Sequence, residues 1–157
     1  MATGDLHGNL DRLRTELRHI RYPLELDVSG AREGSPAAVL PVLHYVILGF
    51  SKHVARFIAE KGYELMAKAD LRFVEGISRM LLNEFSYKAK LSPHQFLSQA
   101  YAERKLLFLH DVIQICKKKH NELFRLKKQA QPILKSDVYE RLSRSRSKSP
   151  GRARSKS

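Results

Sequence analysis

The first residues whose types and spacing could do chemistry are Gly4-Asp5-Leu6-His7-Gly8-Asn9. An Asp and a His two positions apart, each beside a glycine, are residues with which a two-metal phosphoester-hydrolysing site holds its ions. Such a pair hangs from a loop directly after a buried strand, and only three residues precede Gly4. The later Asp, Asn and His clusters that would complete the site do not occur either. The same residues read as a helix N-terminus place Asp5 at the positive end of the helix dipole, where a carboxylate is stabilised. The expectation is no metal and no cofactor.

The other reactive side chains are scattered. None of the seven histidines forms H-x-x-x-H or H-E-x-x-H, the spacings that put two imidazoles on one metal. His53 and His120 fall at helical surface or boundary positions. The single cysteine, Cys116, excludes a disulfide within the chain and a zinc site built mainly from thiolates. It falls on the inner stripe of a helix, where it reads as a small core residue; the adjacent lysines would depress its pKa only if it were exposed. There is no nucleophile elbow, no phosphate-cradling glycine loop and no paired-carboxylate signature. The residues point to a binding module rather than an enzyme.

The cations are more informative. The 157 residues hold 29 Lys and Arg against 16 Asp and Glu, a net charge of +13. Such an excess speaks to partners: nucleic acid, an anionic membrane or an acidic protein surface. The candidate docking residues are Arg12, Arg14 and Arg18 near the N-terminus, Lys117, Lys118, Lys119, Lys127 and Lys128 late in the chain, and Arg144, Arg146, Lys148, Arg152, Arg154 and Lys156 at its end. Exposed ion pairs contribute roughly 0.2–1 kcal/mol each. Several together reach about micromolar to millimolar affinity, and such binding falls steeply with salt.

The elements that must position these residues read as helices throughout. Leu6, Leu10, Leu13, Leu17 and Ile20 recur at helical steps with Asp11, Arg12, Arg14, Glu16 and Arg18 between them. Thr3 or Asp5 caps this helix and Pro23 stops it. Asp27 to Glu33 reads as a short helix ended by Gly34. Ser35-Pro36 opens a segment to Phe50 that is apolar nearly all round, as expected of a helix in the middle of a domain. A strand over Val42 to Leu48 is the alternative, without a partner strand nearby; Pro41 would follow a tighter first turn. Pro41, His44 and Gly49 interrupt this segment, which is too short to span a bilayer. No secretory signal pattern opens the sequence. The expectation is a soluble, intracellular protein that engages no membrane.

Ser51 caps a helix to Lys61 with Val54, Phe57 and Ile58 inward, and Gly62 ends it. Leu71, Val74, Ile77, Leu81 and Phe85 form the stripe of a helix over about 69–85. Ser92-Pro93-His94-Gln95 is a capping box. The last helix buries Leu106, Leu109, Val112, Ile113, Cys116 and Leu123, turns its lysines to water and ends at Pro132. Residues 131–142 form a linker or weak helix. Residues 143–157 carry six Lys or Arg, no acid and no large apolar side chain, the composition of a disordered tail. Ser149-Pro150 within it fits a proline-directed kinase site, where phosphate would reverse local charge and weaken docking.

Several segments together resemble the 44-kDa centrosomal protein family. They are Met1-Ala2-Thr3-Gly4-Asp5-Leu6, Tyr22-Pro23, the run from Gly34 to Pro41, Lys68-Ala69-Asp70-Leu71-Arg72-Phe73, Phe85-Ser86-Tyr87-Lys88, Gln95-Phe96-Leu97, Ala102-Glu103-Arg104-Lys105 and Lys118-Lys119-His120-Asn121-Glu122-Leu123. Order and spacing agree over about residues 1–125. The resemblance implies a calponin-homology-like helical domain, here residues 1–130. It implies association with centrioles, basal bodies and spindle poles, and binding to microtubules through basic surface. It also implies a link to a WD-repeat centriole protein and to the conversion of centrioles into centrosomes. The family continues into a long linker and a coiled coil, whereas this sequence runs into its short basic tail; no oligomeric state carries over.

Three functions compete. The leading one is a non-enzymatic adaptor that docks on the acidic tubulin surface at the centriole. The second is a nucleic-acid-associated protein using its arginine-serine tail, although an all-helical body lacks the aromatic-faced sheet that stacks bases. The third is a scaffold that binds only another centriolar protein.

Overall fold

The structure, a computed structural model, describes residues 5–66 and 68–130, with side chains to Lys128. Seven α-helices and no strand occur among the described residues: α1 Leu6–His19, α2 Val28–Glu33, α3 Pro36–His44, α4 Lys52–Glu60, α5 Asp70–Phe85, α6 Pro93–Phe96 and α7 Ala102–Ala130, with a π turn, Tyr45–Gly49, continuing α3. The expected all-α class is the class found. The chain divides into two units after His120, so the two parts of α7 are described separately.

Capping fixes most helix starts. The Asp5 carboxylate accepts the Gly8 N–H at 2.9 Å and Asp27 accepts that of Gly30 at 3.0 Å, each meeting one orphan donor of a first turn. Ser51 Oγ accepts the Val54 N–H. Ser92 and Gln95 exchange both hydrogen bonds of the capping box. Ser35 makes no side-chain cap bond; Pro36 at the first position already presets the helical φ. Thr3 lies outside the described residues.

The stripes expected from periodicity are buried in their centres. Leu10, Leu13, Leu17 and Ile20 meet Val74, Ile77 and Leu81 of α5 and Leu106, Leu109, Val112 and Ile113 of α7 in one core. Leu6, Phe57, Leu71 and Phe85, expected inside, are half-buried, while Phe73 and Met80, outside the simple stripe of α5, are buried. Leu123 is also half-buried; it belongs to the second unit, whose described residues include no buried one. Tyr45 fastens the α1–α2 connection by donating its hydroxyl hydrogen to the Ile20 carbonyl at 2.6 Å.

The strand alternative for Val42 to Leu48 is overturned. The helix runs through Pro41, after a tighter start in which the Ala38 N–H reaches the Ser35 carbonyl, and then widens so that the Phe50 N–H donates to the Tyr45 carbonyl at 2.7 Å. The expectation of a helix enclosed all round also needs correction. Ala38, Val39, Val42, Leu43, Val46 and Ile47 are buried, but Ala37, Pro41 and Gly49 are exposed and Leu40, His44, Tyr45 and Leu48 only half-buried. One stripe of an apolar helix stays open.

No single helix among the described residues is long and apolar enough to cross a membrane.

Candidate basic docking surface

The run Lys117-Lys118-Lys119-His120 resolves into four directions. Successive helical residues point about 100° apart, so neighbours in sequence do not share a face. Lys117 Nζ lies 2.9 Å from Glu16 Oε1 of α1. Lys119 places its ammonium over the Phe57 ring of α4, 4.3 Å from the centroid, a cation–π contact. His120 Nδ1 lies 2.6 Å from Ser51 Oγ at the start of α4. Lys118 alone of the three lysines is exposed. Lys117 and Lys119, expected on the wet side, are thus half-buried and help hold α7 to α1 and α4. The hydrogen bond from Lys117 holds Glu16 below the usual carboxylate range, against the opposing effect of burial.

The arginines of α1 also part company. Arg12 donates to Asn9 Oδ1. The Asn9 amide in turn donates to Glu103 of α7 at 3.1 Å, and Glu103 also accepts the Asp5 N–H. Arg14 and Arg18 instead line a hollow beside Tyr22, Leu24 and Glu25. All three arginines are exposed, but they serve two surfaces. Lys127 and Lys128 are exposed in the last turn of α7, within the second unit. Arg144, Arg146, Lys148, Ser149, Arg152, Arg154 and Lys156, with the linker and tail that hold them, lie outside the described residues.

Several contacts between residues distant in the chain were not signalled by sequence patterns. Lys105 is fully buried; its Nζ donates to the Gly34 carbonyl at 2.6 Å and to the Ser98 carbonyl. Burial lowers its pKa to about 8. His53 and His120, far apart in the chain, bring their rings within 5.6 Å. His44 stacks flat on Phe73 at 3.6 Å, and burial lowers its pKa while the charge of Asp70 acts the other way.

The candidate reactive groups take structural places. Asp5 is the α1 cap, and His7, exposed, lies 3.4 Å from Asp11. No group of three or more His, Cys, Asp or Glu that could hold a metal occurs among the described residues. Cys116 is a core residue whose thiol burial pushes up to about 12, leaving essentially no thiolate near neutrality.

Fold and surface define an all-helical domain whose accessible charge is predominantly basic. A family model described as "Centrosomal spindle body, CEP44" matches residues 5–130. Among similar proteins is the Centrosomal protein of 44 kDa of Homo sapiens, 41% identical over 128 residues, covering 82% of this chain and 33% of the relative. The Xenopus tropicalis protein of that name is 39% identical over 123 residues, 78% of this chain and 32% of the relative. That of Rattus norvegicus is 37% identical over 141 residues, 90% and 36%. The chain spans about a third of the length of these relatives. It belongs to the CEP44 family of centrosomal proteins, a family named for a place in the cell rather than for a reaction.

Proposed function

We propose that this chain is a non-catalytic adaptor that docks by charge on the acidic surface of microtubules at the centriole. The observation that carries the reading is the excess of exposed Lys and Arg over exposed Asp and Glu on the helical body among the described residues. A cationic surface facing a polyanionic filament gains from many weak contacts at once. Lys118, Arg12, Arg14 and Arg18 are the candidates from the first unit and Lys127 and Lys128 those from the second. By composition, the Arg and Lys residues of 143–157 add to the same attraction. Lys117 and Lys119, being engaged within the fold, contribute mainly by keeping α7 in place.

Co-sedimentation of the full chain with microtubules, before and after enzymatic removal of the acidic tubulin tails and across a salt series, tests the reading. The bound fraction should fall in both cases. Binding indifferent to tail removal and to salt would overturn it.

A further inference from the structure

A pocket of about 480 Å³ opens between the α5–α6 connection and α7, and none of Arg12, Arg14, Arg18 and Lys118 lines it. Its size is ordinary for a binding pocket. The floor is apolar: Leu91 and Phe108 are buried and Leu107 is half-buried, and the Tyr87 ring lies 6.3 Å from that of Phe108.

The rim is cationic. Of the carboxylates in the two lining segments, residues 84–97 and 101–111, Glu84 accepts the Tyr63 hydroxyl at 3.0 Å and Glu103 is turned to Asn9 and the Asp5 N–H. That leaves Asp111. One of its oxygens accepts the Tyr87 hydroxyl at 2.8 Å, and it stands two turns, about 10 Å, along α7 from Arg104. Against it are Lys90 and Arg104 on the rim and Lys88 beside them, all exposed and none in an ion pair among the described residues. Lys105 is buried and bonded elsewhere, and His94 and His110 add no negative charge. Arg104 is braced by the Tyr101 ring, 5.9 Å from its guanidinium carbon. Tyr101 itself has φ +61°, a conformation that bulky residues rarely adopt.

We propose that this pocket seats one large apolar side chain of an acidic, non-helical segment of a partner protein. The floor takes the side chain, and the net positive rim complements carboxylates on either side of it. The backbone favours a segment without helical structure. Lys88, Ala89, Lys90 and Leu91 make no backbone hydrogen bond among the described residues. Their N–H and C=O groups are open to a peptide whose own backbone is unpaired, whereas a helix has already used its own. Residues 143–157 of this chain, which hold no acid, are excluded as the occupant by the same charge.

Fluorescence anisotropy on the full chain tests this with three labelled peptides: glutamates on both sides of one phenylalanine, the same peptide with serine for phenylalanine, and the phenylalanine peptide with lysines for glutamates. The glutamate–phenylalanine probe should bind at least about tenfold more tightly than either of the others. Methylating its backbone nitrogens should weaken it about fivefold. Leu107→Ser should weaken it about tenfold and leave the serine probe unchanged. Lys90→Gln with Arg104→Gln, both exposed positions, should weaken both glutamate probes about tenfold in a chain that melts as the parent does. Leu107→Ser leaves the charge intact and should co-sediment with microtubules as the parent does, so failure of filament docking and failure of this pocket are separate results. Equal binding of the phenylalanine and serine probes, or of the glutamate and lysine probes, would overturn the proposal, as would indifference to backbone methylation or to the Lys90 and Arg104 substitutions. A loss of microtubule co-sedimentation in Leu107→Ser that matches its loss of peptide binding would overturn it by assigning the pocket to the filament. A dimer in sedimentation velocity that Leu107→Ser dissolves would do so by assigning it to a second copy.

Discussion

Lys105 Nζ donates to the Gly34 carbonyl at 2.6 Å across 71 positions of sequence. A buried ammonium is costly unless its hydrogens find acceptors. The loop carbonyls of Gly34 and Ser98 meet that need, so a single side chain of α7 ties down the segments after α2 and α6. Lys105→Met keeps the length of the stem and removes the donor. It should cost about 1–3 kcal/mol through the unsatisfied carbonyls, read in denaturant melts.

The same amine sets a pH dependence. Its folded pKa of about 8 lies below the ordinary value of 10.5, so between those pH values the unfolded chain holds a proton that the folded chain has released. Stability from this group therefore rises with pH across that window. The neutral amine still has two N–H donors for its two carbonyls. Melts of the parent and of Lys105→Met from pH 7.5 to 10.5 should diverge as pH rises, the parent gaining relative to the variant; parallel curves would refute the assignment.

Glu16 gives the same sign in an acid window. Its carboxyl is held below 4.5 mainly by the hydrogen bond from Lys117. The stabilisation is present above the unfolded pKa and lost as pH falls through the folded one. Because Lys117 is a third exposed, the pair contributes only about 1 kcal/mol or less. Acid titration of Lys117→Met should lack the part of the stability loss that the parent shows below about pH 4.5.

Gly34 and Gly62 both have positive φ, +76° and +94°, but differ in surroundings. A Cβ on Gly34 would lie 2.6 Å from the Ala100 carbonyl oxygen, whereas one on Gly62 would meet nothing within 4 Å. Gly62→Ala should cost about 1 kcal/mol from backbone strain alone. Gly34→Ala should cost at least about twice that, and Asn, which tolerates left-handed backbone, should rescue only position 62. Thermal melts of the four variants decide it.

For docking, Lys118→Glu should weaken microtubule co-sedimentation and leave the melting temperature unchanged. Lys117→Glu should lower both, because it places a second carboxylate against Glu16. Ser149→Asp should weaken docking as well, by reducing the cationic charge of residues 143–157. If Lys118→Glu and Ser149→Asp both bind as the parent does, the electrostatic account fails.

The helices were legible because their apolar residues recur at steps of three and four and their ends carry Asp, Ser, Pro and Gly. The open side of α3 was not, since an apolar residue looks the same in sequence whether a neighbour covers it or not. The lysine run was misleading for a geometric reason: adjacency along the chain is divergence around a helix. Lys105 did leave a trace. It sits four residues before Leu109, on the spacing that continues to Val112 and Cys116, so a cation occupied a core position in plain view. Its acceptors, from two distant loops, did not announce themselves.

The divergence of Lys117, Lys118 and Lys119 also means that acetylation would not act alike at the three. An acetyl group on Lys118 would mute only the outward field of the domain. On Lys117 it would remove the ammonium that pairs with the Glu16 carboxylate, and on Lys119 it would remove the positive charge that the Phe57 ring attracts. One chemical mark on three consecutive residues would thus change adhesion in one case and helix association in the other two.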